Sequence, residues 1–301
     1  MSTCTTLSRE LTEPLSGTAA TGATWLLLEQ PGPWGAKALT QSHLDPELGR
    51  TLDSRTRGTD LRIALIRHPG RHADRRPTTA RQVYLAHTRP GHSWVRELTV
   101  TDPAELLDLD FAALGAGDHG GTGAAYLGDP LALVCTNGRR DRCCALLGRP
   151  LAAELNASGH AQVWETTHLG GHRFSPTMLV LPYGYSYGRL SAQAAKEVLA
   201  ATYEGRMVPE WCRGRSFWER PGQAAELALR SAIGEDSAEA LTVRQTDVAA
   251  DRWSVEMAHA DGRRWTAQVV RTLEGPPRSE SCLKVPTIPD RYDVRHLAPS
   301  P

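Results

Sequence analysis

Four residues of this chain could together do metal chemistry: Cys135, Cys144, His168 and His172. Eight residues separate the two cysteines, and Leu-Gly-Gly separates the two histidines. Each pair lies in a glycine-containing segment beside a predicted strand. Thiolates suit iron–sulfur clusters and zinc, and neutral imidazole binds both iron and zinc. The pattern therefore predicts a metal centre that holds either a [2Fe-2S] cluster or a zinc ion.

The spacing of the ligands favours the cluster over zinc. Zinc knuckles usually bring their cysteines together at the shorter spacing C-x₂₋₄-C. A [2Fe-2S] cluster takes four protein ligands, and histidines in place of two thiolates raise its reduction potential. The second ring nitrogen of each histidine can bind a proton, so we expect electron transfer to depend on pH. A zinc site remains the alternative, and each histidine taken alone fits an ordinary surface or capping residue.

Three glycines beside the ligands, Gly138, Gly170 and Gly171, are predicted to contribute to cofactor binding. A glycine lets the backbone approach a cofactor closely and present its N–H groups to bridging sulfides. The arginines and the aspartate of the segment 139–142 make the first ligand loop polar, and we expect that loop to be exposed.

The composition excludes several classes of protein. Basic and acidic residues balance at 34 each over 301 residues, so no net charge draws the chain to nucleic acid or to anionic lipid. No apolar run approaches the roughly 20 residues that a membrane span needs. The first residues lack an apolar signal core, so we expect a cytoplasmic protein. Six cysteines are too few for a disulfide scaffold, and Cys4, Cys212 and Cys282 are interpreted as isolated, inert thiols.

The elements that would position the ligands indicate an α/β (α+β) fold. We divide the chain into an N-terminal α/β domain (1–114), a Gly-rich linker (115–129), a ligand-bearing domain (130–212) and a C-terminal α+β segment with antiparallel strands (213–301). Before the linker, strands are expected at 25–29, 61–67, 82–86 and 94–100, and helices at 45–55 and 103–114.

The ligand-bearing domain has the predicted order β-α-β-β-α, with the ligands at strand ends. Its expected elements are strands at 131–134, 162–166 and 178–181 and helices at 143–157 and 191–202. That order is typical of half of a thioredoxin-like layer. The C-terminal segment is expected to hold one helix (223–233) and three strands (240–246, 252–258, 265–273), followed by a Pro-rich tail.

Three motifs make the chain resemble the sucrase/ferredoxin-like proteins, whose C-terminal part is related to thioredoxin-like [2Fe-2S] ferredoxins. The motifs are CTNGRRDRCC (135–144), HLGGHRF (168–174) and LVLPYGYSYGRL (179–190). The last is similar to the ferredoxin turn PxGxxYG, through Pro182, Gly184, Tyr187 and Gly188. Segments 13–39 and 214–230 are also similar to the family, so the resemblance spans nearly the whole chain. No paired carboxylates in a glycosidase context suggest sucrose cleavage.

The resemblance implies a ligand set and a role. His168 and His172 stand where those ferredoxins have their second cysteine pair, as in the bis-histidine variant of the family. The family spacing aligns Cys144 as the ligand and leaves Cys143 as its neighbour. We expect an electron carrier that takes an electron from a flavin reductase or a ferredoxin-type donor and passes it to an unknown acceptor. The alternatives are an oxidoreductase that reduces a small molecule at the His-ligated iron, and a zinc-stabilised binding module.

Overall fold

The structure is a computed structural model, and it describes residues 3–70, 79–159, 161–282 and 284–300. Its main feature is a ten-stranded mixed sheet with the strand order β10-β9-β8-β6-β7-β2-β1-β3-β4-β5. A second sheet has the order β11-β12-β13-β14. The predicted α/β class is confirmed. Among the described residues, no helix is long and apolar enough to cross a membrane.

One half of the main sheet comes from the N-terminal part of the chain. Its first strand is parallel to the second and antiparallel to the third, and nearly all of its side chains are buried. The strands are β1 (Thr24–Glu29), β2 (Leu61–Arg67), β3 (Arg81–His87), β4 (Trp94–Val100) and β5 (Ala124–Ala125). The helices are α1 (Cys4–Glu10), α2 (Pro46–Arg55) and α3 (Phe111–Ala116), with a 3₁₀ helix at Pro103–Asp108.

The other half of the sheet contains the ligand motifs. The parallel pair β6 and β7 is connected through α4, β6 also pairs with β8 in the antiparallel direction, and β8 pairs with β9. The predicted order β-α-β-β-α is therefore confirmed, with the short strand β9 added before the second helix. The elements are β6 (Leu131–Cys135), α4 (Arg142–Ser158), β7 (Gln162–Thr166), β8 (Thr177–Leu181), β9 (Tyr185–Gly188), α5 (Ala192–Tyr203) and β10 (Cys212–Arg215).

The two halves are joined edge to edge, because β2 pairs with β7 over Ile66↔Thr166 and Arg67↔Glu165. One hydrophobic cluster crosses this joint and includes Trp25, Leu133 and Trp164. The Gly-rich stretch 115–129 therefore does not coincide with a break in the sheet. It contains the end of α3 and the edge strand β5, which pairs with β4.

The C-terminal segment packs one helix against an antiparallel meander. Its helix α6 buries Ala225 and Leu229 against Val255 and Val269 of the meander. The elements are α6 (Arg220–Ile233), β11 (Leu241–Ala249), β12 (Arg252–His259), β13 (Arg264–Leu273) and β14 (Asp290–Ser300).

Two sequence predictions about elements were wrong. The single helix expected at 103–114 is split, because Asp110 adopts an extended conformation and caps α3 by accepting a hydrogen bond from Ala113 N. The Pro-rich tail also forms a fourth strand, β14, at the edge of the second sheet. Edge strands tolerate proline because they need not donate every backbone N–H to a neighbour.

Candidate metal centre

The two cysteines of the first motif lie where a strand meets its following helix. Cys135 is the last residue of the fully buried strand β6, and Cys144 lies in the first turn of α4. Gly148 of α4 allows the helix to lie close to the end of β6, since a Cβ at this position would lie 2.2 Å from the carbonyl oxygen of Cys135. The helix can thus pack directly on the strand end, which places Cys144 beside Cys135.

The two histidines leave the sheet at the same edge. Cys135 pairs with Thr166, the last residue of the parallel strand β7, and His168 follows two residues later. The ligand loops therefore emerge side by side from the carboxyl ends of parallel strands. This is the edge at which α/β sheets usually bind ligands.

The predicted glycines shape both loops. Gly170 and Gly171 have φ values of +82° and +69°, which favour glycine. A Cβ on Gly171 would also lie 2.1 Å from the guanidinium of Arg213, and one on Gly138 would lie 2.6 Å from the Cβ of Ala145. These contacts explain the three glycines by conformation and packing. Their binding of a cofactor stays a prediction.

The structure brings three of the four predicted ligands together. The ligand atoms of Cys135, Cys144 and His168 all lie within 4.8 Å of one another. The ring of His172 lies beside this group, with its centroid 4.9 Å from that of His168. Both histidine Nδ1 atoms are buried, and neither makes a well-formed hydrogen bond within the part of the chain that the structure describes. Buried nitrogens without partners fit metal ligands, because an unsatisfied buried polar atom is otherwise costly.

The surroundings of Cys135 favour its thiolate form. A hydrogen bond from the Cys144 thiol, the nearby His168 ring and the backbone N–H of Leu169 lower the pKa of Cys135 despite its burial. The same contact with Cys135, together with burial, raises the pKa of Cys144. The hydroxyl of Ser175 donates to Cys144 Sγ at 3.8 Å. Hydrogen bonds to ligand sulfurs are one means by which proteins tune iron–sulfur potentials.

The environment of His172 favours its neutral, metal-binding form. Burial and the adjacent His168 lower the pKa of His172 to about 4. Its Nε2 lies 3.8 Å from Oδ2 of Asp141, while its Nδ1 has no partner among the described residues. A histidine that binds a metal through one nitrogen commonly turns the other toward a carboxylate.

Asp141 is a buried carboxylate that no sequence pattern marks as a site residue. It caps α4 by accepting a hydrogen bond from Cys143 N at Oδ1, and its Oδ2 accepts from Ser281 Oγ and Cys282 N. Burial alone would raise the pKa of Asp141, but these hydrogen bonds outweigh it and hold the pKa below its usual range. The carboxylate is therefore ionised and fixed beside His172.

A second group of cysteines lies on the other side of Asp141. The thiols of Cys4, Cys143 and Cys282 are in mutual contact, and all three lie within 4.8 Å of an Asp141 oxygen. The interpretation of Cys4 and Cys282 as isolated thiols was therefore wrong. The sequence pattern gave no local signal for this group, because α1, α4 and the segment after β13 meet only in the folded chain.

A small cavity opens over the histidines. It has a volume of about 220 Å³ and is lined by His168 and His172. Four cationic and two anionic side chains surround it: Arg140, Arg173, Arg220, Lys284, Glu280 and Asp290. The histidine side of the candidate centre is thus accessible to solvent and has a net cationic rim.

Buried arginines hold the histidine loop in place. Arg213 donates to the carbonyl oxygen of Gly170 at 3.1 Å and to Oγ1 of Thr18 at 3.1 Å. Burial lowers its pKa to about 9. The neighbouring Arg215 is also almost fully buried.

Comparison with known proteins identifies the family to which the chain belongs. The sequence profile of the sucrase/ferredoxin-like proteins matches residues 15–214, which include all four predicted ligands. The chain belongs to the sucrase/ferredoxin-like family. Membership of this family indicates a redox-related role. The matched residues end before Cys282 and begin after Cys4, so the second cysteine group is completed from outside the matched part.

One curated protein is also similar to a part of this sucrase/ferredoxin-like chain. Altered inheritance of mitochondria protein 32 of Meyerozyma guilliermondii is 30% identical over 97 residues, which are 29% of this chain and 34% of that protein. The chain thus spans about a third of the length of this relative. No solved structure matches the chain significantly.

Proposed function

We propose that this protein transfers electrons through a [2Fe-2S] cluster bound by Cys135, Cys144, His168 and His172. One observation carries the proposal: the buried thiols of Cys135 and Cys144 and the half-buried imidazoles of His168 and His172 lie together at the carboxyl ends of β6 and β7, and the Nδ1 atoms of both imidazoles have no partner among the described residues. Cys135 and Cys144 would bind one iron, and His168 and His172 would bind the other. A cluster with this ligand set would accept and release one electron when bound.

The chain's own groups support an iron–sulfur centre of raised potential. The backbone N–H of Leu169 and the hydroxyl of Ser175 point at the ligand sulfurs. The buried cation of Arg213 lies behind the histidine loop. Each of these groups stabilises negative charge, and so favours the reduced state.

Asp141 and His172 would couple the electron to a proton. Nε2 of His172 lies 3.8 Å from the ionised Asp141 carboxylate, so if Nδ1 held the metal, Nε2 would carry the exchangeable proton. The cavity lined by both histidines gives solvent a route to this edge. The electron donor would be a flavin reductase or a ferredoxin-type protein, and the acceptor would approach the same exposed edge.

A second candidate function rests on that cavity. An oxidoreductase that reduces a small molecule at the His-ligated iron needs an open pocket beside the histidines, and the cavity of about 220 Å³ meets this need. Its rim, with Arg140, Arg220 and Lys284, would suit a small anion. A zinc-stabilised binding module without redox activity is the third alternative, because the same four side chains are acceptable zinc ligands.

A redox titration of the anaerobically purified protein tests the proposal. We expect one electron per chain, with a midpoint potential that falls by about 59 mV per pH unit where a histidine proton is coupled. In the variant His172→Gln, the midpoint potential should no longer depend on pH, or should do so over a different pH range. The change of an exposed histidine, His43→Gln, should leave the pH dependence as in the wild type. A colourless protein that takes up no electron would contradict the proposal. Steady oxidation of the reduced protein by nitrite, slowed by Arg220→Ala, would favour the second candidate.

A further inference from the structure

Three thiols outside the proposed cluster site form a compact triangle. The Sγ–Sγ distances are 3.6 Å for Cys4–Cys143, 3.4 Å for Cys143–Cys282 and 3.6 Å for Cys282–Cys4. A disulfide needs about 2.05 Å between its sulfurs, and all three thiols are free. The triangle therefore consists of three separate sulfur donors.

These distances match the sulfur arrangement around one zinc ion. Tetrahedral Zn–S bonds of about 2.3 Å place neighbouring sulfurs about 3.8 Å apart. The observed sides are shorter by a few tenths of an ångström, so a small outward shift of each side chain would admit the ion. Such a shift is within the range of ordinary rotamer adjustment.

The surroundings of the triangle are polar, unlike those of a cysteine that fills a core. Cys4 and Cys143 are each 1% exposed, yet neither belongs to any of the hydrophobic clusters of the described residues. Cys212, by contrast, is a member of such a cluster. A buried free cysteine usually behaves as a small hydrophobic side chain. Cys4 and Cys143 therefore take no part in the apolar core of the described residues.

Asp141 supplies a fourth donor. Its Oδ1 lies 3.8 Å from Cys4 Sγ and accepts one backbone hydrogen bond, from Cys143 N, which leaves a lone pair toward the thiols. Its Oδ2 is held by Ser281 and Cys282, so the carboxylate is already oriented. The group also lies at the N-terminus of the 17-residue helix α4, where the helix dipole stabilises thiolates.

We propose that Cys4, Cys143, Cys282 and Asp141 form a second, structural metal site that binds one zinc ion. Binding would replace the thiol protons with Zn²⁺ and release them to solvent, with no change of oxidation state. The ion would join α1, the start of α4 and the segment after β13. The site is distinct from the proposed cluster site because adjacent helical residues, Cys143 and Cys144, point in different directions.

The position of the site indicates that the ion would hold α1 and the segment after β13 against the histidine loop. The hydroxyl of Thr5 in α1 donates to the carbonyl oxygen of His172 at 3.1 Å. Glu13 pairs with Arg173 at 2.7 Å and with the buried Arg278. Zinc would thus fasten α1 and the segment after β13 over the histidine loop, so that they cover one side of it.

Metal analysis of the full-length chain, purified without added metal and then equilibrated with zinc and dialysed, tests the proposal. We expect one zinc per chain in the wild type. Zinc-edge X-ray absorption should report three sulfurs and one oxygen as ligands. This measurement on the wild type does not depend on the folding of any variant. Less than about a tenth of an equivalent of zinc, or ligation by two sulfurs and two nitrogens, would overturn the proposal.

Variants separate this site from the cluster site. Cys4→Ser and Cys282→Ser should each lose at least nine-tenths of the zinc while the visible spectrum is unchanged. Cys135→Ala should keep the zinc whatever happens to the iron, so failure of one site is distinguishable from failure of the other. Cys212→Ser is the matched control and should keep the zinc. Retention of zinc in both serine variants, or a mass loss of 2 Da from a disulfide between these cysteines, would overturn the proposal.

Discussion

Cys143 and Cys144 are neighbours in α4, yet they belong to two different groups of side chains. Cys144 lies with Cys135 and His168, in a group built from two loops at one edge of the sheet. Cys143 lies with Cys4 and Cys282, each of them 139 residues away in sequence. The first group has a histidine side open to a cavity and is suited to electron exchange. The second joins α1, the start of α4 and the segment between β13 and β14, and is suited to a structural role.

Asp141 is shared by the two groups and shows how they differ. One of its carboxylate oxygens lies 3.8 Å from Nε2 of His172. At this distance the two groups interact electrostatically but form no direct hydrogen bond. Toward the three thiols it offers an oxygen within reach of a common metal ion. Under the two proposals, this one ionised residue would tune a redox centre on one side and complete a zinc site on the other.

The largest expected effect comes from breaking the first group. Cys135→Ala should abolish iron binding and colour, because it removes a thiolate from the centre of the predicted site. Cys143→Ala should leave the iron content within about a tenth of the wild type. Iron analysis and visible absorption of the two variants check this. Equal loss of iron in both would show that the adjacent cysteines do not act in separate groups.

Replacement of the histidines by thiolates should change the potential without removing the cluster. The double variant His168→Cys/His172→Cys should bind iron and have a midpoint potential lower by on the order of a few hundred millivolts. Its potential should no longer vary with pH, because no ring nitrogen remains to take up a proton. Redox titrations at several pH values measure both effects. An unchanged potential would remove the histidines from the ligand set.

Removal of zinc should loosen the second group and spare the first. A chelator that takes zinc but not iron should raise the hydrogen-exchange rates of amides in α1 and in segment 276–282 by about tenfold or more. Amides of β6 and β7 should not change. Hydrogen exchange followed by mass spectrometry gives this comparison. Identical exchange with and without chelator would contradict a structural role for the ion.

The metal-free chain should lose stability in acid through His172. Its folded-state pKa of about 4 lies below the ordinary value of 6.5, so between these pH values the unfolded chain binds more protons than the folded one. Stability should therefore fall as pH drops from about 6.5 to 4, by about 3 kcal/mol at most. Urea unfolding of the iron-free protein measures it. In His172→Gln, the free energy of unfolding should depend less on pH over this range, whereas the control His43→Gln should behave as the wild type. An equal pH dependence in the two variants would contradict the assignment of the effect to His172.

The smallest expected effect is that of Ser175→Ala. Loss of the hydroxyl that donates to Cys144 Sγ should lower the midpoint potential by on the order of tens of millivolts and leave the zinc content unchanged. Ser281→Ala is the matched change beside the second group, since its hydroxyl donates to Asp141. If Ser281→Ala shifted the midpoint potential more than Ser175→Ala, the assignment of Ser175 to the redox group and of Ser281 to the second group would be contradicted.

The sequence predicted the first group because its parts are local. Cys135 and Cys144 lie in one strand–loop–helix unit, His168 and His172 lie in the next loop, and parallel strands place both loops at one edge. The second group could not be predicted, because nothing in the spacing of Cys4, Cys143 and Cys282 indicates that they meet. The buried Arg213 escaped prediction for a similar reason, since its partners Thr18 and Gly170 are distant in sequence.

The central claim is that Cys135, Cys144, His168 and His172 bind a [2Fe-2S] cluster. Mössbauer spectroscopy of anaerobically purified, ⁵⁷Fe-enriched protein, together with sulfide analysis, tests it most directly. The account predicts about two irons and two sulfides per chain, with two inequivalent iron sites in equal amounts. One iron would have sulfur ligands only, and the other would have two nitrogen ligands. Zinc in place of iron at these four residues, or two equivalent irons, would contradict it.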